Sequence, residues 1–158
     1  MIQTGIIAVT RDQTSASWQT LGGPAVLAAA SQHGLRVTAE ALVPPSADQL
    51  TATLLDFASQ GCQVILVLGG SGPSPDDMIP RTCRALGGCE LPAFGETIRR
   101  HLHPESPDFL DRSLAVLLDE ALILALPRST ALIRTALTQL APAVHRAVQH
   151  LPSRPAAV

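Results

Sequence analysis

A three-layer α/β/α domain with a mostly parallel sheet is the fold class this sequence predicts, and three observations predict it. Short β-branched apolar runs alternate with helical stretches from Gly5 onward. The strongest run, Val64-Ile65-Leu66-Val67-Leu68, ends directly on Gly69-Gly70-Ser71-Gly72. Apolar residues then recur at helical spacing from Thr130. Strands joined by crossover helices lie parallel, and a strand covered on both faces reads as an unbroken apolar run.

The run Gly5-Ile6-Ile7-Ala8-Val9-Thr10 is the first such strand. A polar loop over 11–20 follows. A helix then starts at Gly23-Pro24 and stops at Gly34, with Pro and Gly at the ends each prefers. Residues 35–43 form the second strand, broken by Pro44-Pro45, and Ser46 caps a helix carrying Leu50, Leu54, Leu55 and Phe57 as far as Gly61. Beyond the glycine-rich turn, helices are expected over 75–86 and 92–102, then a polar loop over 103–108. Residues 114–118 and 121–126 flank Asp119-Glu120 as an antiparallel hairpin, which makes the sheet mixed.

Leu132, Ile133, Ala136, Leu137, Leu140, Val144, Ala147, Val148 and Leu151 place a long helix at the end of the sequence, which Pro142 should kink or divide in two. The organisation expected is one domain over 1–151 followed by a loose Pro-rich tail over 152–158.

Composition narrows the function. With 46% hydrophobic but only 3% aromatic residues among 158, the core must be aliphatic. Eleven basic and 13 acidic residues are scattered to a net charge of −2, so no basic footprint for nucleic acid exists, and a small-molecule or protein partner is favoured. Cys62, Cys83 and Cys89 are odd in number and lack CxxC spacing. They argue against a disulfide framework or a zinc cage, and are expected to be buried, inert thiols of a cytoplasmic chain. No apolar run approaches the ~20 residues of a membrane span, and no targeting segment is visible.

In an open α/β sheet, ligands bind beyond the carboxyl ends of the strands. Three loops qualify, over 10–23, 69–77 and 127–130. Three glycines in four residues let a backbone approach an anion closely, and Asp76-Asp77 suits orienting a hydroxyl or holding Mg²⁺. A phosphate-bearing ligand fits that chemistry. A plain tight turn and an acidic pair favouring a helix dipole account for the same residues. Trp18, in the first loop, either covers a planar ligand or simply packs. His101 and His103 lie near Glu105 and Asp108 but lack a second half of a metal site, and read as an exposed polar loop. His145 and His150 suit surface positions. No Gly-x-Ser-x-Gly elbow is present, which disfavours serine acyl transfer.

Several segments together carry a family resemblance. Val67-Leu68-Gly69-Gly70-Ser71-Gly72-Pro73-Ser74-Pro75-Asp76-Asp77-Met78-Ile79-Pro80 resembles a strand leading into GGTG, an Arg-Asp pair and a Thr-Pro. Leu91-Pro92-Ala93-Phe94-Gly95-Glu96 resembles the segment that follows. Asp111-Arg112-Ser113-Leu114-Ala115 resembles a Ser-Arg-Ala hairpin, and Ala125-Leu126-Pro127-Arg128-Ser129-Thr130-Ala131 an LPGSP loop. In order and spacing these match the molybdenum cofactor biosynthesis family, small proteins that bind molybdopterin and in some members adenylylate it.

The resemblance implies that Asp77 is the catalytic aspartate and a Mg²⁺ or substrate orienter. Gly69, Gly70, Ser71, Gly72 and Asp76 would lie against molybdopterin or its phosphate, with Pro127, Arg128 and Ser129 on the opposite wall. It also implies ATP and Mg²⁺ as co-substrate and cofactor, and a homotrimer or homohexamer. The sequence departs from the pattern at Asp76, Ile79, Asp111, Arg128 and Thr130, and the first two strand ends carry only Thr10-Arg11-Asp12 and Pro44-Pro45-Ser46. Asp in place of Arg or Ser beside a phosphate is repulsive unless a metal or proton intervenes. The resemblance therefore admits an adenylyltransferase or a catalytically degenerate pterin-, nucleotide- or protein-binding relative.

Overall fold

The computed structural model describes residues 1–152. Six strands form one sheet in the order β2-β1-β3-β6-β5-β4: β1 Ile2–Val9, β2 Leu35–Val43, β3 Val64–Leu68, β4 Cys89–Glu90, β5 Ala115–Leu117 and β6 Leu122–Leu126. β2, β1, β3 and β6 are mutually parallel, and β5 runs antiparallel to both β6 and β4. The helices are α1 Ser15–Thr20, α2 Gly23–Gln32, α3 Ala47–Ser59, α4 Ile79–Ala85, α5 Pro92–Arg99 and α6 Thr130–Val148, with a 3₁₀ turn at Pro107–Leu110. The mixed α/β architecture is the one the sequence predicts.

Strand alternation sorts the aliphatic residues into two cores. Ile6, Ala8, Leu66, Leu68, Leu122, Leu124 and Leu126 face α2, α5 and α6. Ile7, Val9, Ile65, Val67, Ile123 and Ala125 face α3 and α4. β3 is completely covered, which is why its five residues carry no polar position. Each buried Leu or Ile side chain removed from water contributes roughly 1.5–3 kcal/mol, offset by the ordering of the chain.

Several local expectations are corrected. The polar loop over 11–20 contains α1, capped by Thr14 Oγ1 accepting from Ser17 N at 3.2 Å. The helix expected over 75–86 starts only at Ile79, with Pro80 in its first turn. Upstream, Asp77 N donates to Ser74 O, and Asp77 Oδ2 accepts from Ser74 N, both at 2.9 Å, so residues 74–77 close on themselves as a turn. α5 ends at Arg99, before residue 102. Pro142 does not divide α6. It lies on the exposed face of the helix, away from the core-facing residues Leu140 and Val144.

The Asp119-Glu120 hairpin is formed, closed by Leu118 N donating to Ala121 O at 2.8 Å. β4 pairs at the sheet edge and leaves Cys89 exposed, whereas Cys62 and Cys83 are buried as expected. Of the tail, 153–158 lie outside the described residues.

Candidate functional site

β1, β3 and β6 are parallel neighbours, so their carboxyl ends deliver residues 10–14, 69–78 and 127–129 to one edge of the sheet. Two adjoining cavities open there. One, about 300 Å³, is lined by Val9, Thr10, Arg11, Leu21, Pro45, Gly70, Asp76, Asp77 and Arg128. The other, about 260 Å³, is lined by Ser71, Gly72, Pro73 and Asp77, by Pro107, Asp108, Leu110 and Asp111, and by Arg128. Asp77 and Arg128 border both cavities and mark the seam between them.

The glycine loop shapes this edge. Gly69 and Gly70 have φ of 76° and 98°, and a Cβ on Gly69 would lie 2.9 Å from Val9 O. Only glycine takes that conformation against the β1 backbone without strain. Among the described residues, no protein group accepts from the N–H groups of Gly70, Ser71 or Gly72. Gly70 and Ser71 are buried. Three successive unpaired amides around a glycine turn are a ready anion receptor.

The segment before β5 holds this loop in place. Arg112 donates through Nε and Nη2 to Gly72 O at 2.9 and 2.6 Å, and through Nη2 to Asp77 O at 2.8 Å. Its own N–H donates to Ser71 O at 2.6 Å. Ser71 Oγ donates to Asp111 Oδ1 at 2.6 Å, and the other Asp111 oxygen accepts from Ser113 N at 2.9 Å. The Ser71 hydroxyl and both Asp111 oxygens are thus engaged within the fold. Arg112 was not among the residues singled out from the sequence; its only sequence cue is the Arg within the hairpin-like segment.

Of the two aspartates that sequence considerations set against a phosphate, Asp111 is held by Ser71 and the Ser113 amide, and Asp76 is compensated by an arginine. Asp76 forms an ion pair with Arg11 across the first cavity. Asp77, its side chain only 6% exposed, pairs with Arg128 at 3.4 Å. Ser129 Oγ caps α6 by accepting from Leu132 N at 3.4 Å, and Pro127 is buried behind Arg128. The structure therefore gathers Gly69 to Gly72, Asp76, Asp77, Pro127, Arg128 and Ser129 at one edge.

Trp18 packs against the core, its indole lying directly over Gly23 where no Cβ would fit. His101 bonds Gln139 Oε1 at 2.7 Å on the exposed surface. His145 Nε2 bonds His33 O at 2.8 Å, joining α6 to the turn after α2. Among the described residues, no group of three or more His, Cys, Asp or Glu is placed to cage a metal, and no helix is long and apolar enough to cross a membrane.

Residues 5–146 match the model of the probable molybdopterin binding domain. The chain is 36% identical over 88 residues to the molybdopterin adenylyltransferase of Haemophilus influenzae, covering 54% of this chain and 45% of that protein. It thus spans less than half the length of that relative. It is 29% identical over 131 residues to the molybdopterin adenylyltransferase of Escherichia coli K12, covering 80% of this chain and 67% of that one. The crystal structure of the molybdopterin biosynthesis enzyme MoaB from Thermus thermophilus superposes with a TM-score of 0.85 at 27% identity, over 98% of this chain and 99% of that one. A match from residue 5 to residue 146, on a frame shared along its whole length, means that the chain belongs to the molybdenum cofactor biosynthesis family, that of the probable molybdopterin binding domain.

Proposed function

We propose that this protein acts in molybdenum cofactor biosynthesis, binding molybdopterin in the strand-end cleft and transferring AMP to it from Mg-ATP. The observation that carries this reading is the run of unpaired amides at Gly70, Ser71 and Gly72, beside the nearly buried Asp77 carboxylate and the exposed Arg128 guanidinium. Phosphoryl and nucleotidyl transfer are promoted mainly by positioning and by charge stabilisation. Amides and arginines supply positive potential to the phosphates, and Asp77 supplies a fixed negative oxygen.

The residues fit a Mg²⁺ that arrives with nucleotide. Mg²⁺ is commonly held by one or two carboxylates together with substrate phosphates and waters, so the lack of a protein-only cage is expected. Asp77 would hold it, and when bound it would neutralise charge on the phosphates. Asp77 Oδ2 is anchored by the Ser74 amide at 2.9 Å, which leaves Oδ1 as the oxygen facing the cleft cation, at present Arg128. The amides orient the phosphate, and Arg112 keeps their loop in register from behind.

One observation favours a second reading, a pterin-binding relative without turnover: Arg128 stands against the carboxylate that the transfer reaction requires. Calorimetric titration with molybdopterin and with Mg-ATP, followed by an assay for adenylylated product, separates the two on wild type and Asp77→Ala. Product formed by wild type and lost in the variant establishes the transferase. Pterin binding without product establishes the binding protein, and binding of neither ligand rejects both.

A further inference from the structure

Arg128 and Asp77 are unequal partners. The carboxylate side chain is 6% exposed and fixed by the Ser74 amide, whereas the guanidinium side chain is 66% exposed. Their contact, 3.4 Å, is longer than the 2.7–2.9 Å typical of a charge-assisted bond. Arg128 makes no other hydrogen bond to a described residue, so four of its five N–H donors remain for something else. It borders both cavities, beside the unpaired amides. A planar guanidinium fork matches a phosphate better than a single loose carboxylate contact does.

We propose that Arg128 is a specificity-determining exchange residue. In the ligand-free chain it neutralises Asp77; on binding it passes to a phosphate group in the cleft and leaves Asp77 Oδ1 to the divalent cation that accompanies that phosphate. This deepens the functional reading above and rests on the cleft being the ligand site. The exchange couples the two ligands. A cation alone meets the positive Arg128 beside its carboxylate, while a phosphate removes that obstacle, and by linkage the cation promotes phosphate binding equally. The phosphate belongs either to the nucleotide or to the pterin, and the chemistry at Arg128 is shared.

The test compares wild type, Arg128→Ala and Arg128→Lys in the full chain. Calorimetry reads the affinity for Mg-free ATP, for inorganic pyrophosphate and for molybdopterin, and water-proton relaxation reads Mn²⁺ binding. Expected for Arg128→Ala is weaker phosphate binding, by on the order of tenfold or more, together with tighter binding of Mn²⁺ alone, by about threefold or more. In wild type, whichever phosphate ligand uses Arg128 tightens Mn²⁺ binding, and this coupling is weaker in Arg128→Ala, where only the direct contact between cation and phosphate remains. Arg128→Lys, which keeps the charge without the fork, falls between on both counts. A loss confined to ATP and pyrophosphate assigns the phosphate to the nucleotide; a loss confined to molybdopterin assigns it to the pterin. Either assignment supports the exchange.

Mn²⁺ affinity that is unchanged or falls in Arg128→Ala overturns the proposal, as does phosphate affinity that does not fall for any of the three ligands. Wild type that binds molybdopterin with affinity equal to both variants, and with unchanged Mn²⁺ binding, sinks the exchange while leaving the pterin-binding reading intact. Arg128 is exposed, so the Ala variant is expected to fold, and Arg128→Lys carries the same comparison independently.

Discussion

The hydroxyl of Ser71 donates to Asp111 Oδ1 at 2.6 Å with both residues buried, tying the glycine loop to the strand entry 40 residues further on. Asp111 also accepts from Ser113 N. Removing the carboxylate leaves the buried Ser113 amide without a partner and the Ser71 hydroxyl with only its longer bond to Leu126 O at 3.3 Å, and hydrogen bonds to charged groups contribute about 1.5–3 kcal/mol each. Asp111→Ala is therefore expected to lower the urea unfolding free energy by about 2–4 kcal/mol. A loss under about 0.5 kcal/mol, the range of ordinary surface changes, would show that the clamp is not needed.

Ser113 offers the opposite case from the same segment. Its Oγ is buried and has no hydrogen-bond partner, so the folded state already bears the cost of desolvating a hydroxyl. Ser113→Ala should leave the urea midpoint unchanged or raise it, by up to about 1 kcal/mol in stability. Ser71→Ala, at the same burial, should lower it.

Two glycines with nearly equal φ separate backbone strain from close approach. Gly69 and Gly87 have φ of 76° and 78°, but a Cβ on Gly87 meets nothing within 4 Å while one on Gly69 meets Val9 O at 2.9 Å. Gly87→Ala is expected to cost about 1 kcal/mol, and Gly69→Ala about 2–3 kcal/mol because the β1 backbone must also shift. Denaturant unfolding measures both. Gly69→Ala should also weaken binding of an inorganic phosphate probe, whereas Gly87→Ala should not.

What the sequence revealed and what it hid follow from the range of the interactions. β3 and β6 were legible because burial on both faces excludes polar residues, Ser46 announced α3 because an N-cap is a local bond, and α6 was legible from the helical spacing of its apolar residues. α1 was not legible: Ser, Thr and Gln dominate it, and Trp18 is its one large apolar residue. The start of α4 was read at residue 75, and the Asp77–Ser74 turn, a side-chain contact the apolar pattern does not show, delays it to Ile79. At the site, the glycine loop was visible as composition. The Arg112 bonds to Gly72 and Asp77 carbonyls were not, because a side chain reaching a backbone 35–40 residues away imposes no residue type on its partner.

The thiols give a pH test of the second core. Cys83 is fully buried, and burial pushes its pKa from 9.0 up to about 12, against a smaller lowering by Arg84. The sequence has no Tyr, and all 11 of its basic residues are Arg, so thiols alone among the side chains titrate between those values. Above pH 9.0 the unfolded chain releases the Cys83 proton that the folded chain retains. The stabilisation is complete below 9.0 and is lost as pH rises towards about 12, with a slope of up to about 1.4 kcal/mol per pH unit. Urea unfolding across this window should show that decline in wild type and a shallower one in Cys83→Ala, whatever offset the small cavity adds. Equal slopes would mean that Cys83 ionises alike in both states. Alkylation of the folded chain should modify the exposed Cys89 while sparing Cys83, whose thiolate is scarce until the core around α4 opens.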